Sequence, residues 1–366
     1  MAQVQCYADS ENFESAEVGK QVREQAVTEP QPKATIASIA AEIGVSVPTV
    51  SKVLNGRPDV AADTRSKVED ALERHRYRRR RTVPGTHPPL LDLVFHQLDS
   101  AWSVEILRGV ESVASERRIG VVLSELGGHR RPNQDWLDAV LARRPLGMLF
   151  VLSGLEAAQR YQLESRSIPF LVLDTDGEPP VGVPTVGSNN WSGGLSAARH
   201  LLELGHRRVA AISGPAEVLC SRARVDGFRS AHEEAGVPWN ADFIRYGTFH
   251  VDGGYLHGKE LLDRPDRPTA IFAGSDMQAL GVLRAAHELG LRVPQDLSVV
   301  GYDNVSVSKW IEPALTTVHQ PLHDMAATAT RMLLQLADGQ PLAHQRIELA
   351  TELIVRRSTA PPPAGT

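Results

Sequence analysis

Two cysteines, Cys6 and Cys220, are all that this 366-residue chain contains. That is too few for a disulfide framework and suits a reducing cytosol. No apolar run approaches the roughly 18 residues of a membrane helix, and no signal peptide is evident, so the chain reads as soluble and cytoplasmic with no membrane partner. The Gly-x-Gly-x-x-Gly, Gly-x-x-x-x-Gly-Lys-Ser/Thr and Gly-x-Ser-x-Gly patterns are absent. His319 and His323 are separated by Pro321, which argues against a helical metal pair. No nucleophile, base and oxyanion donor come together in the pattern. The sequence therefore predicts no enzyme: no catalytic residue, no cofactor and no metal. It also lacks any short internal repeat.

What is present is a chain too long for one core, with 42% hydrophobic residues, enough for two or three domains. The net charge is −5, so the whole protein is not a basic nucleic-acid coat. Charge is unevenly placed, however. Between Lys33 and Arg81 there are 11 Lys and Arg against 6 Asp and Glu, a local +5. A basic head on an acidic body suits a selective DNA reader.

Within that basic head, residues 35–55 read as two short helices joined by a tight turn. Thr35 is placed to cap the first, and Ile36, Ile39, Ala40 and Ile43 form one apolar face. Gly44 can supply the positive φ that ends it. Ser46 caps the second helix, and Pro48 is tolerated because it falls in the first turn. Val50, Val53 and Leu54 face inward, and Asn55-Gly56 stops the helix. A helix-turn-helix of this size can place its second helix in a major groove; an ordinary helical hairpin in a core is the competing reading. A third helix is expected from about Asp63 to His75, with Val68, Ala71 and Leu72 inward.

The basic run from Arg74 to Arg81 follows directly, and there phosphate contact is a better reading than a solvated face. Pro84, Gly85, Pro88 and Pro89 make the next stretch a linker. Residues 1–32, without periodicity and rich in Glu and Gln, read as a disordered extension; a short helix over 14–27 is the alternative.

Beyond the linker, strands and amphipathic helices alternate. Short apolar runs lie at 90–95, 120–123, 147–152, 170–173, 209–212, 269–273 and 297–302, with helical faces at 104–118 and 194–204 between them. This pattern means parallel sheets covered by helices, and its length implies two Rossmann-like lobes. Ligands of such sheets bind beyond the carboxyl ends of the strands. Those ends carry Phe95-His96-Gln97, Leu173-Asp174, Ser275-Asp276 and Tyr302-Asp303-Asn304. Carboxylates, amides and aromatics there suit a polyhydroxylated ligand. Any single Asp could instead cap a helix, and for Asp276 the cap is the better reading. Trp102, Trp191 and Trp310 follow presumed strands and are weaker candidates for stacking on a sugar.

Thr35-Ile36, Ile39-Ala40, Gly44-Val45-Ser46, Thr49 through Gly56, Thr64-Arg65 and Tyr77 form a long ordered match. It resembles the DNA-binding headpiece of the lactose-repressor family of bacterial transcription regulators. More loosely, the resemblance continues to about residue 358. It implies an all-α helix-turn-helix headpiece followed by an α/β, periplasmic-binding-protein-like effector domain of two lobes. The expected division is an extension at 1–32, a headpiece at 33–77, a basic linker at 78–90, an effector and dimerisation domain at 91–358 and a tail at 359–366. Lobe 1 is expected at about 91–186 and 320–336, and lobe 2 at about 188–317 and 340–358.

The resemblance also implies roles. Val47, Pro48 and Lys52 stand where the recognition helix faces bases, while Thr35 and Ser46 position helices on phosphates. Thr49, Ser51, Asn55, Arg78, Arg79, Arg80 and Arg81 complete the DNA-contacting set. For the effector, Asp174 matches the family's Leu-Asp pair. Residues 220–228 resemble its Ser-x-Arg-x-Arg-x-x-Gly-aromatic segment, which assigns Arg224. Residues 298–303 preserve the effector Asp as Asp303. Ser275 stands where Asn is usual, Gln320 is offered by a crossover between lobes, and Phe249 falls where a stacking aromatic is frequent. Gln97 and Trp102 join the set. Many family members follow the headpiece with a hinge helix that inserts a leucine into the minor groove. Here Arg78 to Thr86 has no leucine and contains Pro84-Gly85, so an extended basic arm is expected instead.

These readings converge on a dimeric, sequence-specific repressor of a palindromic operator, controlled by a mono- or oligosaccharide held between the lobes. A nucleobase or other metabolite effector, a sugar-binding module that reads no DNA, and a carbohydrate-active enzyme are the alternatives.

Overall fold

The computed structural model describes residues 35–54, 60–75, 77, 89–175, 177–178 and 181–363. The expectations for residues 1–32, Asn55, the Arg78–Arg81 run and the linker to residue 88 lie outside the described residues.

The headpiece consists of α1 (Ile36–Glu42), α2 (Val47–Leu54) and α3 (Ala62–Arg74). Thr35 opens α1 with a reciprocal cap: its hydroxyl accepts from Ser38 N, and the Ser38 hydroxyl accepts from Thr35 N. Gly44 takes φ +70° in the turn. The Ser46 hydroxyl accepts from Thr49 N at 3.2 Å, starting α2. Ile39, Val50, Val53, Val68 and Ala71 are fully buried together, and Tyr77 packs on their edge. Glu42 binds Arg74 at 2.9 Å and also His75, joining α1 to the end of α3. The His75 hydrogen bond and the neighbouring cations hold the Glu42 carboxyl below its ordinary range.

Lobe 1 is built on β1 (Leu90–Phe95), β2 (Gly120–Glu125), β3 (Gly147–Val151), β4 (Phe170–Leu173), β5 (Thr185–Ser188) and β11 (Arg346–Leu349). Their order is β11-β5-β4-β3-β1-β2, all parallel. Helices α4 (Ala101–Glu116), α5 (Gln134–Arg143), α6 (Ala157–Glu164) and α12 (Leu322–Ala337) cover it. Because both faces are covered, β1, β3 and β4 are buried runs with no alternation, apolar except for Asp92 of β1, which accepts from Arg143 Nη2 at 3.2 Å.

Lobe 2 holds β6 (Val209–Ser213), β7 (Ile244–Tyr246), β8 (Ala270–Ala273), β9 (Ser298–Asp303), β10 (Thr316–His319) and β12 (Glu352–Ile354). The order is β12-β10-β9-β8-β6-β7, with only β12 antiparallel. Its helices are α7 (Asn190–Glu203), α8 (Leu219–Glu234), α9 (Val251–Leu262), α10 (Asp276–Glu288) and the short α11 (Val307–Trp310).

Two expectations need correction. The sequence places the whole of 340–358 in lobe 2, yet Arg346–Leu349 pairs with β5 and so belongs to lobe 1. The sheet edge left open by β5 is what it satisfies. The sequence also starts a tail at 359, but the Ala360 carbonyl accepts from Ser298 Oγ at 3.0 Å and lies 2.9 Å from His206 Nε2, so the described tail residues are part of lobe 2. The chain thus passes between lobes three times, near Asn189, Gln320 and residue 350. Two passages are joined directly: Asn189 N donates to Leu349 O, and Thr351 Oγ1 to Asn189 O.

The headpiece sits against lobe 1. The Ser165 hydroxyl donates to the Leu54 carbonyl at 2.9 Å, and Tyr161 of α6 is hydrogen-bonded to Glu69 of α3. Burial, reinforced by Glu69, pushes the Tyr161 phenol up to about 12.

Candidate DNA-reading face and effector cleft

On α2 the hydrophobic spacing turns Val50, Val53 and Leu54 inward and leaves the opposite face outward. Ser46, Val47, Pro48 and Lys52 are exposed, while Thr49 and Ser51 are half-buried. Val47, a β-branched apolar residue 46% exposed at the start of the helix, has no core reason to be there. The face carries one cation, one hydroxyl pair and two apolar groups. That inventory can meet phosphates, a guanine edge and thymine methyls.

The second site lies between the lobes, where β4 and β9 end. It is centred on Arg224, 3% exposed in α8. Close approach of α7 and α8 puts it there: a Cβ on Gly194 would come within 2.0 Å of Arg224 O, and one on Gly227 within 2.0 Å of Trp191 O. The guanidinium donates from Nε to Asn190 Oδ1 at 2.8 Å, from Nη1 to the Gly274 carbonyl, and from Nη2 to Gln320 Oε1 at 3.3 Å. Its Cζ lies 3.7 Å from the Tyr302 ring centroid and 5.4 Å from that of Phe249. Gln320 in turn donates to Asp174 Oδ2 at 2.9 Å. A continuous chain therefore runs from lobe 1 (Asp174) through a crossover (Gln320) to lobe 2 (Arg224).

Asp303 stands 4.0 Å from Arg224 Nη1, and its Oδ1 is buried with no hydrogen-bond partner among the described residues. Both it and Asp174 have backbones in the left-handed region, φ +102° and +49°. Such strain gathers at ligand sites. Burial pushes both carboxyls above the ordinary aspartate range, Asp303 well above it, against the opposing pull of Arg224.

One flank of the cleft is apolar. Trp102 and Leu152 of lobe 1 pack with Val218, Cys220 and Phe249 of lobe 2. Burial raises the Cys220 thiol to about 11, leaving it a small apolar group at neutral pH. On the rim, Gln97 donates to Asp99 Oδ2 at 2.8 Å, and Asp99 reaches across to His250 at 3.5 Å.

Asp174, Arg224, Asp303, Gln320, Phe249 and Trp102 are thus brought to one cleft, with Gln97 at its rim. Ser275 differs from expectation. Its hydroxyl donates to Phe249 O at 2.7 Å and accepts from Gln278 N at 3.0 Å, so it caps α10 and fixes Phe249. Asp276, expected as that cap, instead accepts from Val305 N and Thr317 Oγ1 inside lobe 2. Burial lifts its carboxyl to about 7. Trp191 and Trp310 are 42% and 79% exposed surface residues. Sequence reasoning missed Asn190, Asp99 and His250, and saw Tyr302 only as a strand-end aromatic. The tandem amides Asn189-Asn190 were the available signal for the first.

A three-helix DNA reader joined to a two-lobed cleft defines a ligand-responsive transcription factor. The chain matches the family model "Bacterial regulatory proteins, lacI family" over residues 35–80 and the "Periplasmic binding protein-like domain" over 198–359. It is 35% identical to the HTH-type transcriptional repressor PurR of Escherichia coli over 334 residues, 90% of this chain and 98% of that one. It is 36% identical to PurR of Erwinia tasmaniensis over the same shares. Among solved structures it is similar to a transcriptional regulator CelR–cellobiose complex, at 32% identity and TM-score 0.66, covering 89% of this chain and 99% of that one. It is also similar to the lac repressor dimer bound to operator and the anti-inducer ONPF, at 27% identity and TM-score 0.64, covering 90% and 100%. The chain belongs to the lacI family of bacterial regulators: it is a DNA-binding transcriptional repressor, not an enzyme. Among the described residues no single helix is long and apolar enough to cross a membrane.

Proposed function

We propose that this repressor works as a homodimer on a palindromic operator of carbohydrate-utilisation genes and is released by a mono- or oligosaccharide bound in the cleft. The observation that carries the effector class is the make-up of the Arg224 cluster. A guanidinium fork, two buried carboxyls and an amide converge beside an apolar flank with one aromatic from each lobe, Trp102 and Phe249. Hydroxyls can donate to Asp174 and Asp303 and accept from Arg224 and Gln320, while aromatic faces cover C–H patches. The cellobiose held by CelR supports this class.

Gln320 bonds both Asp174 and Arg224, linking the lobes, while Asp303 Oδ1 has no hydrogen-bond partner among the described residues. A sugar that enters must replace the Gln320–Asp174 and Arg224–Gln320 bonds with its own, which changes how the lobes are joined. A ligand that binds the two lobe arrangements unequally shifts their populations, and with them the spacing of paired headpieces. On the headpiece, Lys52, Val47 and Pro48 meet bases; Thr35, Ser46, Thr49, Ser51 and Asn55 position the helices; Arg78, Arg79, Arg80 and Arg81 meet phosphates or a narrow minor groove.

Calorimetric titration of the full chain with a panel of mono- and disaccharides, with nucleobases alongside, tests the proposal. Binding of a saccharide that also lowers operator affinity in gel shifts is the expected result. Binding of a nucleobase and no saccharide would move the chain to the alternative effector class. Salt-sensitive binding to a palindrome excludes the non-DNA-reading module.

A further inference from the structure

The three passages between the lobes lie on one side of both sheets. They follow β5 and β10 and separate β11 from β12, which are the edge and next-to-edge strands there. On the opposite side, β1 and β2 of lobe 1 and β6 and β7 of lobe 2 have no covalent link across the cleft. Counted in strand spacings, that side stands roughly 15–20 Å from the passages.

The lobes nevertheless meet there. Asp99, in the loop after β1, lies 3.5 Å from His250 Nδ1, in the turn after β7. Each partner is mounted on its own lobe. Gln97 donates to Asp99 at 2.8 Å, and Leu98 N donates to Glu125 Oε1 at 3.3 Å, at the end of β2. On the other lobe, Thr248 O accepts from Gln278 Nε2 at 2.7 Å and Phe249 O accepts from Ser275 Oγ at 2.7 Å, so the turn is fixed to the start of α10. His250 itself opens α9 as its N-cap. The pair also brackets the cleft aromatics. Phe249 immediately precedes His250, and Trp102 lies in the first turn of α4, just after Asp99.

The geometry points to Asp99 and His250 as a strap across the mouth of the cleft, which holds the lobes together over Trp102, Phe249 and Cys220 and gates the entry of small molecules. The inference rests on the reading of the cleft as the effector site. A proton on His250 Nδ1 gives Asp99 a donor whether the ring is neutral or charged. The side chains are 36% and 39% exposed, so the pair holds the lobes only weakly. That suits a gate, which must part at each binding event.

Cys220 reports the opening directly. It is 6% exposed and covered from lobe 1 by Leu152 and Trp102, so a reagent reaches it when the lobes part. The test follows N-ethylmaleimide labelling of the full chain by intact mass, in a Cys6→Ser parent and in the same parent with Asp99→Ala, His250→Ala or both. The reagent is uncharged, so a charge lost at the rim does not alter its encounter with the cleft. Each single variant is expected to label Cys220 about two- to fivefold faster than the parent, the range for a solvent-exposed pair. The double variant should label no faster than the faster single one, because the two residues act as a unit. The inference is overturned if both single variants label at the parent rate, or if their effects multiply in the double variant. It is also overturned if the faster labelling climbs steeply with dilute urea, which marks unfolding and not a parting of the lobes. No sugar enters the assay, so its failure leaves the effector class untouched, and a failed sugar titration leaves this result standing.

Discussion

Replacing Arg224 by Ala should damage lobe 2 itself as well as the cleft, and should do so in a pH-dependent way. The side chain is 3% exposed and donates to three acceptors, Asn190 Oδ1, Gly274 O and Gln320 Oε1, while covering the Tyr302 ring. Removing one member of such a buried polar group leaves the others unsatisfied. The cost is about 3–5 kcal/mol, well below the sum of the individual bonds because desolvation of the arginine is recovered. For a lobe of this size, that corresponds to a melting temperature lower by roughly 6–20 °C. The same change removes the cation that opposes the upward shift of Asp174 and Asp303. A carboxyl whose folded pKa lies above its unfolded value stabilises the fold at pH below the unfolded value. That contribution is lost as pH rises through the folded value. Without Arg224 the folded values rise further, so the deficit relative to wild type should be larger at about pH 7.5 than at about pH 5. Urea denaturation of both proteins at the two pH values measures this. A loss below about 1 kcal/mol, or a deficit independent of pH, would refute the view of Arg224 as the charge that holds this cleft together.

Three further outcomes are expected. Gly194→Ala drives a methyl against the Arg224 carbonyl, so α7 and α8 must separate; overpacking should cost about 1–3 kcal/mol in thermal unfolding and weaken effector binding without touching the headpiece. Equal effector affinity in a folded variant would show that helix spacing does not set the Arg224 position. Lys52→Ala should weaken operator binding by about 1–3 kcal/mol and relax preference at one base pair per half-site, read by competition against single-base operator variants. Replacing Arg78 to Arg81 with Ala should flatten the salt dependence of operator binding by roughly one unit of slope for each phosphate no longer neutralised, with little bend in circular-permutation gels. An unchanged slope would reduce those arginines to solubilising the linker.

Much of the fold could be read in the chain because burial on both faces forces apolar runs. Leu90–Phe95, Phe170–Leu173 and their neighbours were visible for that reason, and the headpiece for its helical spacing and Ser/Thr caps. The strands missed are those where composition carries no such mark. Thr185–Ser188 contains Gly and Ser, Thr316–Thr317 is polar, and Ile244–Tyr246, Arg346–Leu349 and Glu352–Ile354 are half-exposed edge segments. Which sheet an edge segment joins depends on a partner more than 150 residues away, as for Arg346 against Thr185; no local pattern encodes it. In the cleft, Asp174, Arg224 and Asp303 stand at strand and helix positions that motif spacing marks. Asn190 and Tyr302 do not, because they act on Arg224 only once α7, α8 and β9 have been brought together.

The placement of those supporting residues bears on how a ligand in the cleft could reach the DNA. Gln320 lies within one passage between the lobes, and Asn190 immediately follows another, at Asn189. A third passage is bonded to the second through Thr351 and Leu349. Passages are where backbone dihedrals must change if the lobes rotate, since each lobe is a closely packed body that moves as a unit. Arg224 holds both Asn190 and Gln320, so it grips two of the three passages at once. A ligand that took over the arginine's donors would therefore release contacts at the pivots, where a small displacement gives the largest rotation of one lobe against the other. Residues farther along either lobe could bind a ligand as tightly and bias the lobe angle less. Lobe 1, to which Leu54 and α3 are fastened through α6, would carry that rotation to the headpiece.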